Sequence, residues 1–149
     1  ILQALGGESV SLAHPESRRD WTYVTDTVRG FILAAEADAV AGQVFNWTLE
    51  NRTALKIAEL VQVTAMRHLG KEVRLCIDES QRDGRHYKMD ASKLFRSTGI
   101  APTRGIVRAI TDNFEWFAAG KVPNPDADIW FNTRRMAASM KEDAWPVKS

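Results

Sequence analysis

The feature that most constrains the fold is an amphipathic helix with recognisable ends, followed directly by a strand pattern. Its apolar side chains recur at helical spacing, at Ile57, Leu60, Val61 and Ala65. Thr53 is a candidate N-cap, and Gly70 stands where a left-handed residue commonly ends a helix. Apolar and polar residues then alternate from residue 72 to residue 77, which is the period of a half-buried strand. This succession predicts an α/β fold in which helices pack on a few short strands.

Further strands and a helix are predicted before this segment. One short strand is expected near residues 9–12, and a second extended stretch ends at Val24. Asp26 is a candidate N-cap of the next helix, because its carboxylate can accept from free backbone N–H groups of the first turn. Residues 44–47 are predicted to form a buried strand, and the polar residues 50–52 a turn.

Two more helices bring the expected number to about four. One starts near residue 90 and ends before Gly99, and the other starts after Pro102 and ends at Gly120. From residue 121 onward, prolines and aspartates predict an extended tail of unknown role. We therefore expect one domain over residues 1–120 and a tail over residues 121–149.

Composition excludes several classes of protein. The 149 residues are 44% hydrophobic and 26% charged, which is typical of a folded domain rather than a disordered chain. A formal charge of +1 gives no bulk attraction to nucleic acid or to an acidic membrane. No apolar run approaches the ~20 residues that span a bilayer, and no signal peptide is recognisable, so we expect a cytoplasmic protein. The first residue is Ile, which suggests that the chain begins inside a longer protein.

The remaining residue types offer no other catalytic or metal site. The single cysteine, Cys76, excludes an internal disulfide and is expected to be a small packed residue on its strand. Three histidines, His14, His68 and His86, lack metal-ligand spacing, so they are expected on the surface or in loops. No serine lies in a Gly-x-Ser-x-Gly turn.

Two stretches could bind an anion. In residues 19–26, an extended segment brings Arg19 close to the start of a helix, where a guanidinium fork and free N–H groups both favour phosphate. In residues 78–88, Arg82 and Arg85 flank a glycine, and Tyr87 offers a hydroxyl or a ring face. Each stretch also has a structural explanation, since Arg19 could pair with Asp20 and the loop charges could simply cancel in solvent.

Taken together, these stretches resemble the extended short-chain dehydrogenase/reductase family of nucleotide-sugar epimerases and 4,6-dehydratases. Residues 19–26 resemble its Arg-Asp-aromatic-x-x-Val-x-Asp signature, and residues 42–46 resemble its Gly-x-hydrophobic-aromatic-Asn strand. Residues 87–93 resemble its Tyr-x-x-Asp-x-Ser-Lys block. Residues 99–102 and 115–117 resemble its closing Leu-Gly-Trp-x-Pro and Trp-Phe segments. The resemblance covers about residues 1–120.

The resemblance implies the substrate-binding, C-terminal part of an extended Rossmann-type enzyme. Arg19 and one arginine of the following loop, Arg82 or Arg85, would contact the diphosphate of a UDP-, dTDP-, GDP- or CDP-linked sugar, with Tyr87 nearby. The complete enzyme would use NAD or NADP, and its N-terminal Rossmann segment would be the partner of this chain. Whether the chain forms a homo-oligomer stays open.

The sequence lacks two motifs that such an enzyme needs. It contains neither a Gly-x-x-Gly-x-x-Gly turn nor a Tyr-x-x-x-Lys pair, because Tyr23 precedes Thr27 and Tyr87 precedes Ala91 by four positions. We therefore expect no catalytic residue and no tight dinucleotide binding in this chain alone. The alternatives are a free-standing nucleotide-sugar-binding module and a protein-interaction module without catalysis.

Overall fold

The computed structural model describes residues 1–6, 9–70, 72–78 and 85–142. The chain divides into two compact units, Ile1–Glu115 and Trp116–Ser149. Within the described residues the strands are β1 (Val10–Leu12), β2 (Arg18–Trp21), β3 (Glu50–Thr53) and β4 (Leu75–Ile77). The helices are α1 (Leu2–Leu5), α2 (Val24–Glu36), α3 (Ala54–Leu69), α4 (Ser92–Thr98), α5 (Ile106–Ala118) and α6 (Asn132–Glu142), with single 3-10 turns at Asp38–Val40 and Asp128–Trp130. The predicted α/β class, with short strands and about four main helices, is confirmed.

The strands form two separate pairs. β1 lies parallel to β4, with Val10 opposite Leu75, and β2 lies antiparallel to β3, with Arg19 opposite Arg52. The alternating strand predicted before residue 78 is therefore present as β4. Cys76 on β4 is exposed, so the prediction that it is packed was wrong. Its position on an open two-stranded pair leaves its side chain facing solvent.

The core of the first unit lies between α1, α3, α5 and Val73, which precedes β4. Ala65 and Val73 are fully buried, and Phe114 is 1% exposed. The ends of α3 follow the sequence prediction: Thr53 Oγ1 accepts a hydrogen bond from Lys56 N at 3.2 Å, and Gly70 has a φ of 64°. Local signals were sufficient here because both caps act within one helical turn.

Two predicted elements differ in the structure. Residues 44–47 form no strand, although they were predicted as one, because no other segment of the described chain pairs with their backbone. Val44 is 86% exposed. Residues 50–52 were predicted as a turn but belong to β3. Their side chains are polar because the strand is only half buried, and a polar run of this kind is typical of a turn.

Asp26 is not the N-cap of α2. The helix begins at Val24, with Tyr23 as its N-cap, so Asp26 lies in the first turn. Its buried carboxylate instead accepts from the backbone N–H groups of Thr103 and Arg104, both at 2.6 Å. Asp26 therefore fixes the loop that precedes α5 to the start of α2.

The second unit contains helix α6 and the turn before it. Trp130 Nε1 donates to Asn124 O at 2.9 Å, and the Arg134 guanidinium carbon lies 4.0 Å from the centre of the Phe131 ring. Residues 132–142 are helical, so the extended conformation predicted for residues 121–149 does not hold there. The sequence prediction gave too much weight to the prolines, which all lie before this helix or after it.

Gly30 on α2 permits a close approach of Trp47. A Cβ at residue 30 would lie 2.7 Å from Cε2 and Cζ2 of the Trp47 ring. We expect Gly30→Ala to lower the free energy of unfolding by about 1–2 kcal/mol, because overpacking outweighs the gain in helix propensity. Chemical denaturation followed by circular dichroism measures this change.

A double variant provides the control for Gly30. In a Trp47→Leu background the obstructing ring is absent, so Gly30→Ala should stabilise the protein by up to about 1 kcal/mol through helix propensity. The same destabilisation in both backgrounds would show that the contact with Trp47 is not the cause.

Candidate functional site

The predicted site lies where residues 85–90 run beside the β2–β3 pair. Tyr87 N donates to Arg18 O at 3.2 Å, and Ser17 Oγ donates to Arg85 O at 2.8 Å. On β3, Asn51 Oδ1 accepts from Met89 N at 2.8 Å, and Asn51 Nδ2 donates to Met89 O at 2.9 Å. Both ends of this segment are thus held close to the two strands.

Arg19 and Tyr87 come together at this site. The Arg19 guanidinium carbon lies 5.1 Å from the centre of the Tyr87 ring, which is cation–π distance, and its Nη1 donates to Arg18 O at 3.2 Å. Tyr87 is 45% exposed. A half-buried guanidinium beside an aromatic face carries the planar set of donors that matches a phosphate.

The two predicted loop arginines have different outcomes. Arg85 is exposed, and its backbone is tied to Ser17 just before β2. Arg82 lies outside the described residues. Of the four predicted site residues, the structure therefore brings Arg19, Arg85 and Tyr87 to one end of β2.

Arg52 is a cation that the sequence analysis did not single out. It stands directly opposite Arg19, so the two Cβ atoms lie on one face of the ribbon, typically about 4.5–5.5 Å apart. Its Nε pairs with Glu50 Oε2 at 2.5 Å, and Glu50 Oε1 accepts from Ile106 N at 2.7 Å. The signal that could have identified Arg52 is its spacing from Glu50: residues two positions apart on a strand lie on the same face, so the two side chains can pair once β3 is recognised as a strand.

Two carboxylates of the described residues, Asp90 and Asp112, have lowered pKa values. The Tyr23 hydroxyl donates to Asp112 Oδ2 at 2.5 Å, and this hydrogen bond lowers the pKa of Asp112 and raises that of Tyr23. Hydrogen bonds from the backbone and hydroxyl of Ser92 lower the pKa of Asp90. Both carboxylates therefore stay ionised at neutral pH and act as hydrogen-bond acceptors, and neither has the raised pKa of a general acid.

An apolar cavity of about 270 Å³ lies beside α2, away from the arginines. Its lining includes Gly30, Phe31, Ala34, Phe45, Trp47 and Leu94. On the same helix Val28, Phe31 and Ile32 are more than half exposed. This surface is unlike the usual solvent-facing side of a helix, which is polar.

The described residues contain no group of three or more potential metal ligands and no helix that is long and apolar enough to cross a membrane.

No protein-family model matches the chain, and no curated protein matches it. Solved structures do match it. UDP-glucuronic acid 4-epimerase from Bacillus cereus, in complex with UDP-glucuronic acid and NAD, is 21% identical with a TM-score of 0.64. The match covers 78% of this chain and 37% of that one.

Two further structures extend this finding. A dTDP-glucose 4,6-dehydratase from Bacillus anthracis, in complex with NAD, gives a TM-score of 0.60 at 20% identity, over 89% of this chain and 40% of that one. A UDP-glucose 4-epimerase from Thermotoga maritima, solved with UDP-glucose, gives 0.60 at 27% identity, over 78% of this chain and 37% of that one. The chain has the fold of part of an extended short-chain dehydrogenase/reductase. The resemblance inferred from the motifs is thus confirmed as a structural match to NAD-dependent nucleotide-sugar epimerases and dehydratases.

This partial short-chain dehydrogenase/reductase fold spans less than half the length of the matched enzymes. The sequence has neither the glycine-rich turn nor the Tyr-x-x-x-Lys pair. Gly6 follows α1, and Gly7 lies outside the described residues.

Proposed function

We propose that the chain is the substrate-binding portion of an NAD(P)-dependent nucleotide-sugar epimerase or 4,6-dehydratase, and that it binds the diphosphate of the sugar nucleotide. The observation that carries this proposal is the meeting of Arg19 with the Arg85–Tyr87 segment beside β2, with the Arg19 guanidinium 5.1 Å from the Tyr87 ring. Arg19 and Tyr87 lie far apart in sequence, and both belong to motifs that resemble those of the matched enzymes.

The chemistry of these side chains suits a diphosphate. A guanidinium presents parallel N–H donors that match two phosphate oxygens, and it remains charged at every physiological pH. Arg52 adds a second positive charge on the same face of the ribbon, although Glu50 partly neutralises it. Binding energy gained at the diphosphate would position a distant sugar ring for reaction elsewhere.

We propose further that the dinucleotide-binding segment of the complete enzyme covers the apolar surface beside α2. Phe31 is 74% exposed and Val44 86%, and residues 44–47 carry a strand-like sequence with no pairing partner in the described chain. The matched structures contain more than half of their length outside the match. A strand added at residues 44–47 would satisfy open backbone groups and bury the apolar side chains together.

Arg19→Ala tests the diphosphate proposal. We expect titration calorimetry of the full chain with UDP-glucose and dTDP-glucose to show binding of at least one ligand, and the substitution to weaken it about tenfold or more. The reason is that a hydrogen bond to a charged group contributes at least ~1.5 kcal/mol.

The matched control is Arg67→Ala, which removes an exposed arginine from the last turn of α3 and should leave affinity unchanged. Equal affinity of the Arg19→Ala variant and the unsubstituted chain would refute the assignment of Arg19. Failure of the unsubstituted chain to bind either sugar nucleotide would instead favour a protein-interaction module.

A second test separates a portion of an enzyme from a free-standing binding module. If the coding region continues upstream of Ile1 into a glycine-rich turn and a Tyr-x-x-x-Lys pair, this chain is a portion of an NAD(P)-dependent enzyme. A coding region that starts at Ile1, together with ligand binding by this chain, would favour the free-standing module.

A further inference from the structure

Residues 85–90, which we call the strap, follow the two strands without being buried. Arg85, His86, Tyr87 and Lys88 are all exposed, and only Met89 is half-buried. Burial of apolar surface therefore contributes little to the position of the strap. Its position beside β2 and β3 depends instead on individual hydrogen bonds to its backbone.

Asn51 makes a two-point contact to the backbone of the strap. Its carboxamide accepts from Met89 N at 2.8 Å and donates to Met89 O at 2.9 Å, so it satisfies both backbone groups of one residue. Four further hydrogen bonds join the strap to residues before it: Ser17 Oγ to Arg85 O at 2.8 Å, Tyr87 N to Arg18 O at 3.2 Å, Arg18 N to His86 Nδ1 at 3.4 Å and Asn46 Nδ2 to Asp90 O at 3.0 Å. Ser92 N and Oγ both donate to the Asp90 carboxylate. Removing the Asn51 carboxamide would leave two backbone groups unpaired at once.

We propose that Asn51 is a positioning residue of the substrate site, acting through Met89 to hold Tyr87 beside Arg19 before any ligand arrives. This inference rests on the proposed function, because it concerns the same diphosphate site. Met89 is two residues from Tyr87, so a fixed Met89 backbone limits where the Tyr87 ring can lie. Preorganisation of this kind lowers the ordering cost that binding would otherwise incur.

Two substitutions separate positioning from general stability. Asn51→Ala removes both hydrogen bonds. Asn51→Asp keeps an acceptor for Met89 N. Its second carboxylate oxygen faces Met89 O and has no proton to donate to it. When protonated, the introduced carboxyl has the same shape and the same donor and acceptor as the carboxamide. Lowering the pH should therefore restore the contact in Asn51→Asp and not in Asn51→Ala.

The charged groups around residue 51 are common to all variants. Asp20 stands opposite it in the ladder and favours protonation of an introduced carboxyl, whereas Arg18, Arg19 and Arg52 on the two strands oppose it. Arg18 N also donates to Nδ1 of His86 on the strap, at 3.4 Å. Comparison with the unsubstituted chain at each pH cancels the direct effect of these groups.

The experiment measures the Kd of UDP-glucose and dTDP-glucose at pH 7.5 and at about pH 4, where an aspartate of ordinary pKa is about half protonated, with Asn113→Ala as the control asparagine. Asn113 is exposed on α5 and donates to Ala109 O of its own helix. We expect both Asn51 variants to bind about tenfold more weakly at pH 7.5, as loss of about 1.4 kcal/mol implies. At about pH 4 the ratio of the variant's Kd to that of the unsubstituted chain should fall for Asn51→Asp and persist for Asn51→Ala.

Hydrogen exchange of the Tyr87 amide gives a readout that needs no ligand. Its acceptor, Arg18 O, is untouched in Asn51→Ala, so faster exchange there at an unchanged melting temperature supports positioning through Met89. The inference is overturned if Asn51→Ala changes neither the exchange rate of the Tyr87 amide nor the affinity for the sugar nucleotide. It is also overturned if the ratio of the Asn51→Asp Kd to the Kd of the unsubstituted chain does not depend on pH. If the unsubstituted chain binds neither sugar nucleotide, the proposed function fails, and the exchange result still decides the role of Asn51 in holding the strap.

Discussion

Replacing Phe114 by alanine is expected to lower the free energy of unfolding of the Ile1–Glu115 unit by about 4 kcal/mol. Phe114 is 1% exposed, and its ring stacks on His68 with centroids 5.8 Å apart and planes 9° apart. It packs in the same cluster as Val61, Val73 and Ile110. The substitution removes a large apolar side chain and leaves a cavity between helices α3 and α5, which a rigid core fills only in part.

Urea denaturation followed by circular dichroism of the full chain measures this effect. Phe95→Ala is the matched control, because Phe95 on α4 is 57% exposed and should cost less than about 1 kcal/mol. Phe114→Leu, which keeps most of the apolar volume, should fall between the two. Equal losses for Phe114→Ala and Phe95→Ala would mean that the core is not centred on Phe114.

Asp26→Ala is expected to destabilise the same unit by about 3 kcal/mol. The Asp26 carboxylate is 2% exposed and accepts two backbone hydrogen bonds at 2.6 Å, from Thr103 and Arg104. Hydrogen bonds to a charged acceptor contribute about 1.5–3 kcal/mol each, and the substitution leaves both donors without this partner. Thermal unfolding and urea denaturation both measure the loss.

Two variants make the Asp26 result specific. Asp26→Asn keeps one amide oxygen as an acceptor and should lose about half as much stability, since hydrogen bonds to neutral groups are weaker. Asp38→Ala removes an exposed aspartate from the 3-10 turn and should change stability by less than about 0.5 kcal/mol. If Asp26→Ala were no more destabilising than Asp38→Ala, the carboxylate would not be what fixes the loop before α5.

The sequence predicted elements whose signals are local. Thr53 and Gly70 define α3 because a cap acts within one turn, and the alternation before residue 78 identified β4 because its period lies in consecutive residues. The β2–β3 pair was missed in part, since Glu50, Asn51 and Arg52 have the composition of a turn. Only the cross-strand register with β2 makes these residues a strand.

The sequence predicted those residues of the candidate site that belong to recognisable motifs. Arg19, Arg85 and Tyr87 were identified from their motifs, and the structure brings them to the same end of β2, while their role in binding remains a prediction. Asn51 and Arg52 carry no motif, and their relevance depends on which strand lies opposite. The role of Asp26 likewise depends on a contact 77 positions away, which helical periodicity does not encode.

The long reach of these contacts has a consequence for biosynthesis. β1 pairs Val10 with Leu75, and the partners of Asp26 are Thr103 and Arg104, so these stabilising contacts join residues that lie far apart in the chain. Contacts between distant residues form slowly during folding, because the entropy of closing the loop between them is lost before the contact stabilises the fold. On the ribosome, β1 and α2 emerge long before the residues that hold them, and the unit can close only when the segment from Thr103 to Phe114 has been translated.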